Sequence, residues 1–251
     1  MDDLCMHLNR FDPVSLSEMD SVKLMERVDT KFVFPAEALP GILETLVPHY
    51  RVLQIDDRRI SRYETIYFDT PGLSLYLWHH NGKQDRYKVR FRGYSDTSSA
   101  FFEIKHRNNK GRTLKSRIPA EGVPERISGE AEQFLHRMTP LHARDLVPVL
   151  RVRYSRITLV SRTGCERVTI DTALQTEARG GTASFAGIVI AEAKQDHASA
   201  SAFREVMQAH RFFDGSVSKY CLGITALYPV KKNRFKEKYR PIHLLTRSLH
   251  A

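Results

Sequence analysis

The sequence is poor in the features that would place it in several common classes of protein. Its three cysteines, Cys5, Cys165 and Cys221, are widely spaced and form no CxxC pair. This argues against a disulfide framework and a zinc ribbon, and it favours a reducing compartment. No run approaches the roughly 20 apolar residues that a membrane span requires. Residues 1–10 lack the apolar segment of a signal peptide. We therefore expect a cytoplasmic protein.

The chain is also short of acidic residues. Its 251 residues include 29 Asp and Glu against 39 Lys and Arg, which gives a formal net charge of +10. Hydrophobic residues make up 41%, including 13 Phe and 10 Tyr, so the chain can bury a core and is not disordered. The length and the absence of a convincing linker predict one domain over residues 1–229, followed by a basic tail over 230–251. The positive charge indicates a polyanionic partner.

Strand-like segments outnumber helix-like segments. The chain lacks the βαβ rhythm of a parallel fold and shows hairpin signals such as Thr163-Gly164. We therefore predict an α+β fold of mainly antiparallel β structure, with eight strands that close into a barrel and a few peripheral helices. The predicted strands lie at about 28–34, 60–69, 86–94, 100–107, 112–118, 149–161, 165–171 and 186–194. The predicted helices lie at about 36–46, 71–80, 128–137 and 199–209, and 217–225 is predicted as a short strand or turn.

Basic residues recur at every second position of these strands. Residues two apart in a strand share one face of a sheet, so each strand gathers its charged side chains on one side. The sets that share a face are Arg27, Asp29 and Lys31; Arg86, Lys88, Arg90 and Arg92; Glu103, Lys105 and Arg107; Lys115 and Arg117; Arg151 and Arg153; Arg167, Thr169 and Asp171; and Glu192 and Lys194.

Two interpretations of this pattern stay open. An ordinary half-buried sheet turns a charged face to water, but such faces usually mix both signs to limit repulsion. Here at least six strands carry mostly Lys and Arg, which favours a closed sheet whose interior is a basic tunnel for phosphates. Glu192, and less strongly Glu103 and Asp29, could hold a divalent metal there, or could form salt bridges to neighbouring cations.

Eight segments in order resemble the catalytic domain of the vacuolar transporter chaperone (VTC) polyphosphate polymerases. This domain belongs to the CYTH-like superfamily of triphosphate tunnel metalloenzymes. The segments are RVDTKFVF at 27–34, YETIYFDT at 63–70, YKVRFRGY at 87–94, FFEIKHRNNKGRTLKSRI at 101–118, RVRYSR at 151–156, RVTIDTAL at 167–174, IVIAEAKQD at 188–196 and SKYCLG at 218–223. The resemblance implies an eight-stranded tunnel barrel. It also implies Mn²⁺ or Mg²⁺ as cofactor.

The resemblance also assigns roles to individual residues. It implies Glu192 as the metal ligand. It implies phosphate contacts by Lys31, Arg90, Arg92, Lys105, Lys115, Arg151, Arg167 and Lys219. Further residues on the same strands are weaker candidates for the tunnel wall, namely Arg27, Lys88, Arg117, Arg153 and Lys194.

The leading hypothesis is metal-dependent phosphoryl transfer from a nucleoside triphosphate, ATP, to a growing inorganic polyphosphate chain. The expected partners are therefore ATP and inorganic polyphosphate or pyrophosphate. The alternatives are a tripolyphosphatase or nucleoside triphosphatase in the same tunnel, and a non-catalytic module that binds polyphosphate or nucleic acid. The first strand reads Arg27-Val-Asp29-Thr-Lys31, where the wider superfamily has E-x-E-x-K, and this suits the polymerase branch better. No specific nucleic acid is expected, because the strands present no clear aromatic platform.

The flanks of the resembling region carry two further expectations. The chain has neither regulatory SPX-like helices before the region nor a membrane domain after it, as in the stand-alone prokaryotic type. An integral-membrane partner that receives the chain is therefore an open alternative. The segment VKKNRFKEKYRP at 230–241 is either a solvated tail or a patch that guides polyphosphate or rests on an anionic membrane.

Overall fold

The computed structural model of the chain describes residues 2–21, 27–163, 166–196 and 201–247. The elements up to the first hairpins are α1 (Asp2–Asn9), β1 (Pro13–Val14), α2 (Leu16–Ser21), β2 (Arg27–Pro35), α3 (Leu39–Leu46), β3 (Tyr50–Leu53), β4 (Ser61–Asp69) and α4 (Ser74–His80). The middle of the chain contains β5 (Arg86–Tyr94), β6 (Ser99–Arg107), β7 (Thr113–Ala120), α5 (Glu130–Met138), β8 (Val147–Ser161) and β9 (Glu166–Ala178). The remaining elements are β10 (Gly181–Phe185), β11 (Ile188–Asp196), α6 (Ala202–Ala209), α7 (Lys219–Leu227) and α8 (Lys236–Arg247). Short 3₁₀ turns at Ala36–Ala38, Ala143–Asp145 and Asn233–Phe235 precede α3, β8 and α8.

One sheet organises the molecule. Its main path contains eight strands in the order β2-β11-β9-β8-β4-β5-β6-β7, and every neighbouring pair on this path is antiparallel. The short strands β1, β3 and β10 attach at the side, and the pair β1–β3 is parallel. The predicted fold class, mainly antiparallel β with peripheral helices, is confirmed.

The expected closure of the barrel is absent from the described part of the chain, where the end strands β2 and β7 do not pair with each other. The loop after α6 covers the outer edge of β2 instead. Asp214 bridges Phe32, and the Gly215 amide donates to the Lys31 carbonyl at 2.8 Å. At the other end of the path, β7 includes Pro119, which has no N–H to offer a further strand.

The sheet nevertheless curls strongly. Lys105 on β6 and Glu192 on β11 are separated by four strands of the path, yet the charge of Glu192 acts directly on Lys105. The sheet therefore has a concave inner face, which carries both residues, and an outer face. Apolar side chains of the outer face, such as Phe34 and Phe102, are buried under α3 and α6 or under α5.

Helix α7 packs inside the curl and fills one end of it. Inner-face side chains of β4, β8 and β11, including Tyr67, Val152 and Ile190, form one core with α7. At Gly223, a Cβ atom would lie 2.7 Å from a Leu150 methyl carbon, so the absence of a side chain permits this close approach. The helix begins at the rim of the space that remains, with Ser218 as N-cap.

Asp69 joins three elements beside this core. Its carboxylate lies at the end of β4 and accepts hydrogen bonds from the Leu75 and Tyr76 amides at 2.8 and 2.9 Å. The Tyr220 hydroxyl of α7 donates to the same carboxylate. These bonds compensate for the complete burial of Asp69 and fix α4 and α7 relative to the sheet.

Two segments differ from the sequence-based expectation. Residues 219–227, predicted within a strand or turn, are helix α7, whose residues from Tyr220 to Thr225 are all buried. Much of the segment predicted as a basic tail is ordered as well, because Phe235, Tyr239 and Ile242 of its turn and helix are buried against α4 and α7. The division into a domain at 1–229 and a tail at 230–251 stays a prediction. Within the described residues, no helix is long and apolar enough to cross a membrane.

Candidate functional site

Basic side chains line the inner face on both sides of the space that α7 leaves open. Register pairs such as Lys88–Lys105, Lys105–Lys115 and Lys194–Arg167 place them side by side across neighbouring strands. The cations of this face are Lys31, Lys88, Arg90, Arg92, Lys105, Lys115, Arg117, Arg156, Arg167 and Lys194, and α7 adds Lys219. The carboxylates of the same face are Asp29, Glu103, Asp171 and Glu192. Cations therefore clearly outnumber carboxylates.

Glu103 is the most deeply buried of these carboxylates, with no exposed surface. Arg90 donates to it through Nε and Nη2, at 2.7 and 2.5 Å, and Lys115 forms an ion pair with it. Arg92 lies 3.8 Å away, and the third arm of Arg90 donates to the Tyr67 hydroxyl at 3.0 Å. Although burial favours the neutral acid, these cations hold the pKa of Glu103 far below its ordinary value. Glu103 therefore orients the Arg90 guanidinium through Oε2, while Oε1, which has no hydrogen-bond partner among the described residues, forms the ion pair with Lys115.

Lys105 is a cation that lacks such compensation. Among the described residues it forms no hydrogen bond or ion pair, and it lies between Lys88 and Lys115. Burial, together with the charges of Arg90 and Arg92, lowers the pKa of Lys105 to about 6. Burial likewise lowers the pKa of Lys115 to about 8 and that of Lys88. A bound anion would supply the missing negative charge at this point.

Glu192 faces Lys105 across the open space. Its carboxylate accepts a hydrogen bond from Lys31 on β2 and lies 3.4 Å from the Lys194 ammonium group. Burial opposes its ionisation, but Lys194 and Lys31 hold the pKa of Glu192 well below the ordinary value. About a fifth of the Glu192 side chain is exposed (21%), so a ligand can reach it, unlike Glu103.

Two buried hydroxyl groups on the inner face have no hydrogen-bond partner within the described residues. They belong to Thr169, which is paired with Glu192 in the register, and to Tyr154. Their residues are only 6% and 4% exposed. Buried polar groups are rarely left unsatisfied, so these two hydroxyls are donors available to a ligand.

A second charged cluster lies where α7 meets the sheet. Arg156 donates to both oxygens of Asp171, at 2.6 and 2.9 Å, and Lys219 donates to one of them. Burial opposes ionisation, yet Arg156 and Lys219 lower the pKa of Asp171 to about 2. The Arg156 guanidinium also lies over the Tyr63 and Tyr154 rings, at 4.9 and 5.3 Å, which holds it in place.

Arg151 and Arg153 lie on the other face of the sheet. Arg151 is paired with Ile66, which belongs to the outer-face core, and both arginines donate to Glu64, at 2.5 and 3.1 Å. The prediction that they line the tunnel therefore disagrees with their position. The inner-face residues of β8 are of the opposite parity, and Arg156 takes the place that the resemblance gave to Arg151.

The remaining predicted site residues lie in different places. Arg117 lies on the inner face at the exposed end strand, 4.4 Å from the centre of the Phe101 ring. Arg167 lies beside Lys194, and Asp29 is exposed opposite Lys194 at the rim. The side chain of Arg27 lies outside the described residues.

Sequence reasoning missed Arg156, Asp171, Thr169, Tyr154 and Tyr67 as site residues. The sequence did contain evidence for Arg156 and Asp171. Arg156 is the last residue of the RVRYSR segment, and Asp171 shares a strand face with Arg167. The sequence did not show that the inward-facing side chains of β9 change from odd-numbered to even-numbered positions along the strand. Ala173 has a positive φ of 51° at an irregularity of the β8–β9 pairing. Residues 167–171 therefore face inward at odd positions, whereas Leu174 faces the core with α7.

The donor set around Glu192 suits a divalent cation only in part. The described residues contain no group of three or more His, Cys, Asp or Glu side chains that could hold a metal ion. Mg²⁺ is commonly held by one or two carboxylates together with phosphate oxygens and water. The accessible Glu192 carboxylate beside the unpartnered Thr169 hydroxyl suits a metal ion that is held mainly by phosphate and water. It does not suit a metal ion that is held by protein ligands alone.

Comparisons with solved structures define the class of the fold. The protein is similar to the proposed adenylyl cyclase HpAC1 from Hippeastrum, a protein with a dominant triphosphatase activity. The TM-score is 0.51 at 13% identity, over 81% of this chain and 98% of that chain. It is equally similar to a proposed adenylate cyclase from Bacillus halodurans, with a TM-score of 0.50 at 13% identity, over 81% of this chain and 100% of that one. At 13% identity, these two likenesses show a shared fold.

The family follows from the sequence. The VTC domain family matches residues 26–228, and the chain belongs to this family. A comparison with curated proteins finds no match. The resemblance seen in the sequence is confirmed, and the matched range contains every inner-face residue described above.

Proposed function

We propose that this protein is a metal-dependent phosphotransferase. It transfers the γ-phosphoryl group of a nucleoside triphosphate, ATP, to the end of a growing inorganic polyphosphate chain on the inner face. The observation that carries the proposal is the surplus of buried cations around an accessible carboxylate. Opposite that carboxylate, Glu192, lies Lys105, which forms no hydrogen bond or ion pair within the described residues. Membership of the VTC domain family and the triphosphate tunnel fold support the same class of substrate.

The side chains divide the work between binding and positioning. Arg90, fixed by Glu103 and Tyr67, presents a rigid fork to phosphate oxygens, and Lys105 and Lys115 add mobile point charges. Lys31 and Lys219 now hold Glu192 and Asp171, so each can turn one N–H toward a phosphate without losing its carboxylate. The Thr169 and Tyr154 hydroxyls complete the set of donors.

Glu192 would hold the divalent ion, Mn²⁺ or Mg²⁺, and a bound ion would neutralise phosphate charge. The protein's own contribution is to hold the triphosphate straight. A terminal oxygen of the polyphosphate then forms the new P–O bond to the γ-phosphorus, the bond to the β-phosphate oxygen breaks, and nucleoside diphosphate leaves with the electron pair. A phosphate oxygen needs no strong base, so positioning and charge neutralisation carry the catalysis.

Hydrolysis is the second candidate, with water as the nucleophile on the same inner face. The observation that favours it is the likeness to HpAC1, whose dominant activity is that of a triphosphatase. Incubation with ATP and Mn²⁺ distinguishes the two activities. Long polyphosphate on a gel supports the transferase, whereas orthophosphate without chain growth overturns it in favour of the hydrolase. An integral-membrane partner that receives the chain stays a prediction.

Substitution of Glu192 separates an enzyme from a binding module. We expect Glu192→Gln to lower kcat by about 100-fold or more, because the accessible inner-face carboxylate that faces Lys105 loses its charge. ATP binding without metal should become tighter, since the same carboxylate repels the phosphates. Glu64→Gln is the matched control, because Glu64 also joins two cations of the sheet but on the outer face. Unchanged turnover in Glu192→Gln would remove the metal assignment.

A further inference from the structure

Phe213 is the most exposed large apolar side chain in the described part of the molecule. It is 76% exposed, although its neighbour Phe212 is half-buried. Both belong to the loop that covers the free edge of β2. The loop leaves α6 through Arg211, whose φ of 59° is in the left-handed region and turns the chain back toward the sheet.

The neighbours of Phe213 fix the direction in which its side chain points. Phe212 stacks on Phe34 with ring centres 5.5 Å apart, and Asp214 forms a bridge with Phe32. Phe32 and Phe34 belong to the outer-face core under α3 and α6. In an extended segment, successive side chains alternate, so Phe213 points to the other side, which is the side of the inner face.

The loop also brings Phe213 close to the anion-binding groups. Gly215 donates its amide hydrogen to the carbonyl of Lys31, and the ammonium group of Lys31 holds Glu192. Because Asp214 is bridged to Phe32 in antiparallel orientation, Phe213 lies opposite Val33. Val33 is one position further along β2 than Phe32 and two positions further than Lys31. An exposed aromatic ring therefore stands at the edge of the sheet beside β2, two strand positions from Lys31, whose ammonium group holds Glu192.

We propose that Phe213 is the platform on which the base of the nucleoside triphosphate stacks while its phosphates lie on the inner face. The proposal rests on the proposed function and adds the recognition of the nucleoside. The phosphates are charged and belong among the cations, whereas the base is flat and weakly polar and belongs at the rim. Stacking on an aromatic side chain tolerates different bases, because every base has a π-face. The site should therefore accept purine nucleotides broadly.

Calorimetric titration of ATP and of inorganic tripolyphosphate, which has no base, tests the proposal. We expect Phe213→Ala to weaken ATP binding by about 10-fold and to leave tripolyphosphate binding unchanged. Phe213→Tyr should restore ATP binding, since it restores the ring. Leu114→Ala, which removes another exposed apolar side chain (53% exposed), is the control and should affect neither ligand.

Fluorescence gives a second readout. The indole introduced by Phe213→Trp should be quenched by ATP and by GTP but not by tripolyphosphate. The proposal is overturned if Phe213→Ala weakens the binding of both ligands equally, or if it leaves ATP binding unchanged. In either case, the proposed function is retained as long as the wild type binds tripolyphosphate. If the wild type binds neither ligand, the proposed function fails and the role of Phe213 fails with it.

Discussion

At the scale of single residues, the inner face combines carboxylates with different tasks. Glu103 is enclosed by cations and serves to hold them, whereas Glu192 keeps an exposed edge. A fully buried charge is tolerated only while its partners remain, so the arginines around Glu103 depend on it as much as it depends on them. The functional residues of this face are thus also part of its stability.

Glu103→Gln should destabilise the protein strongly, because Arg90 and Lys115 lose their buried counter-charge. We expect a loss of about 3–5 kcal/mol in the free energy of unfolding. Added tripolyphosphate should recover part of the loss by supplying negative charge to the same cations. Urea denaturation with and without tripolyphosphate measures both effects.

The control for this measurement is Glu177→Gln. Glu177 joins Arg153 at 3.1 Å on the outer face, where both side chains are about half exposed, so its loss should be below about 1 kcal/mol. Equal losses in the two variants would contradict the role given to Glu103.

Glu166 predicts a dependence of stability on pH. It accepts hydrogen bonds from the Tyr50 hydroxyl and, at 2.6 Å, from the Ser201 hydroxyl in the outer-face core. Burial raises the pKa of Glu166, so the folded state binds this proton more tightly than the unfolded state. Its contribution to stability is therefore greatest below the pKa of the unfolded chain and declines as the pH rises through the raised value in the folded protein.

Glu166→Gln removes this titration. The stability of the variant relative to the wild type should rise as the pH increases above the ordinary pKa of a glutamate, since only the wild type pays for a buried carboxylate at the higher pH. Urea denaturation of both proteins at several pH values gives the difference. A difference that does not vary with pH would show that the raised pKa of Glu166 has no energetic consequence.

At the scale of elements, strand periodicity was a reliable guide where both strands of a pair were regular. It gathered Lys88, Arg90 and Arg92 on the face that the structure shows, together with Lys105 and Lys115. It failed on β8, where arginine occurs at both odd and even positions. A single sequence does not show which of these side chains face inward. Only the pairing with β4 and β9, which depends on residues distant in the chain, decides that Arg156 faces inward.

Helix α7 was hidden from sequence reasoning for a different reason. Its apolar residues surround the helix, because it packs within the curl of the sheet, and an all-round apolar helix has no amphipathic period. A short apolar run of this kind is compatible with a buried strand as well. The Ser218 cap was the only local sign of a helix start.

Gly223→Ala tests the close approach of α7 to the sheet. The new Cβ atom would lie 2.7 Å from one Leu150 methyl carbon and 3.1 Å from the Thr176 methyl carbon, so the helix must shift or the side chains must move. We expect a loss of about 1–3 kcal/mol in stability. Because α7 carries Lys219, ATP affinity should fall as well.

Gly41→Ala is the matched control, because Gly41 is also helical and nothing lies within 4 Å of its new Cβ atom. This change should raise stability by about 0.5–1 kcal/mol through helix propensity. Thermal denaturation compares the two variants, and a neutral Gly223→Ala would contradict the packing described for α7.

At the scale of the whole molecule, positive charge is found on the C-terminal surface as well as on the inner face. Lys231, Lys232, Arg234 and Lys236 are exposed, and the Arg234 guanidinium donates to the Asn81 carbonyl at 2.6 Å. This surface is therefore attached to α4 and to the loop before β5. A charged surface so placed raises the local concentration of polyanions near the sheet.

Reversal of charge tests this surface better than deletion, since deletion would remove Tyr239 and Ile242 from the core. In the double variant Lys232→Glu, Lys236→Glu, association with long polyphosphate should slow several-fold at low salt, and the effect should nearly vanish at high salt. Stopped-flow association at two salt concentrations measures this.

The double variant Arg126→Glu, Arg144→Glu makes the same change in net charge at exposed positions next to Ile127 and Ala143, which belong to the outer-face core. It should slow association less. Equal slowing would show that net charge alone acts, and no slowing in either variant would leave the C-terminal segment as a solvated surface.

The Asp69 carboxylate gives the molecule a mechanical property. Because one buried group holds the end of β4, the first turn of α4 and Tyr220 of α7, none of the three can open without exposing a charge that has lost its donors. The amides of Leu75 and Tyr76 should therefore exchange with solvent deuterium in the same opening event as the amides of α7. Lys219 is thus held to the inner face by the cooperative unit that contains α4, and it leaves only when that unit opens.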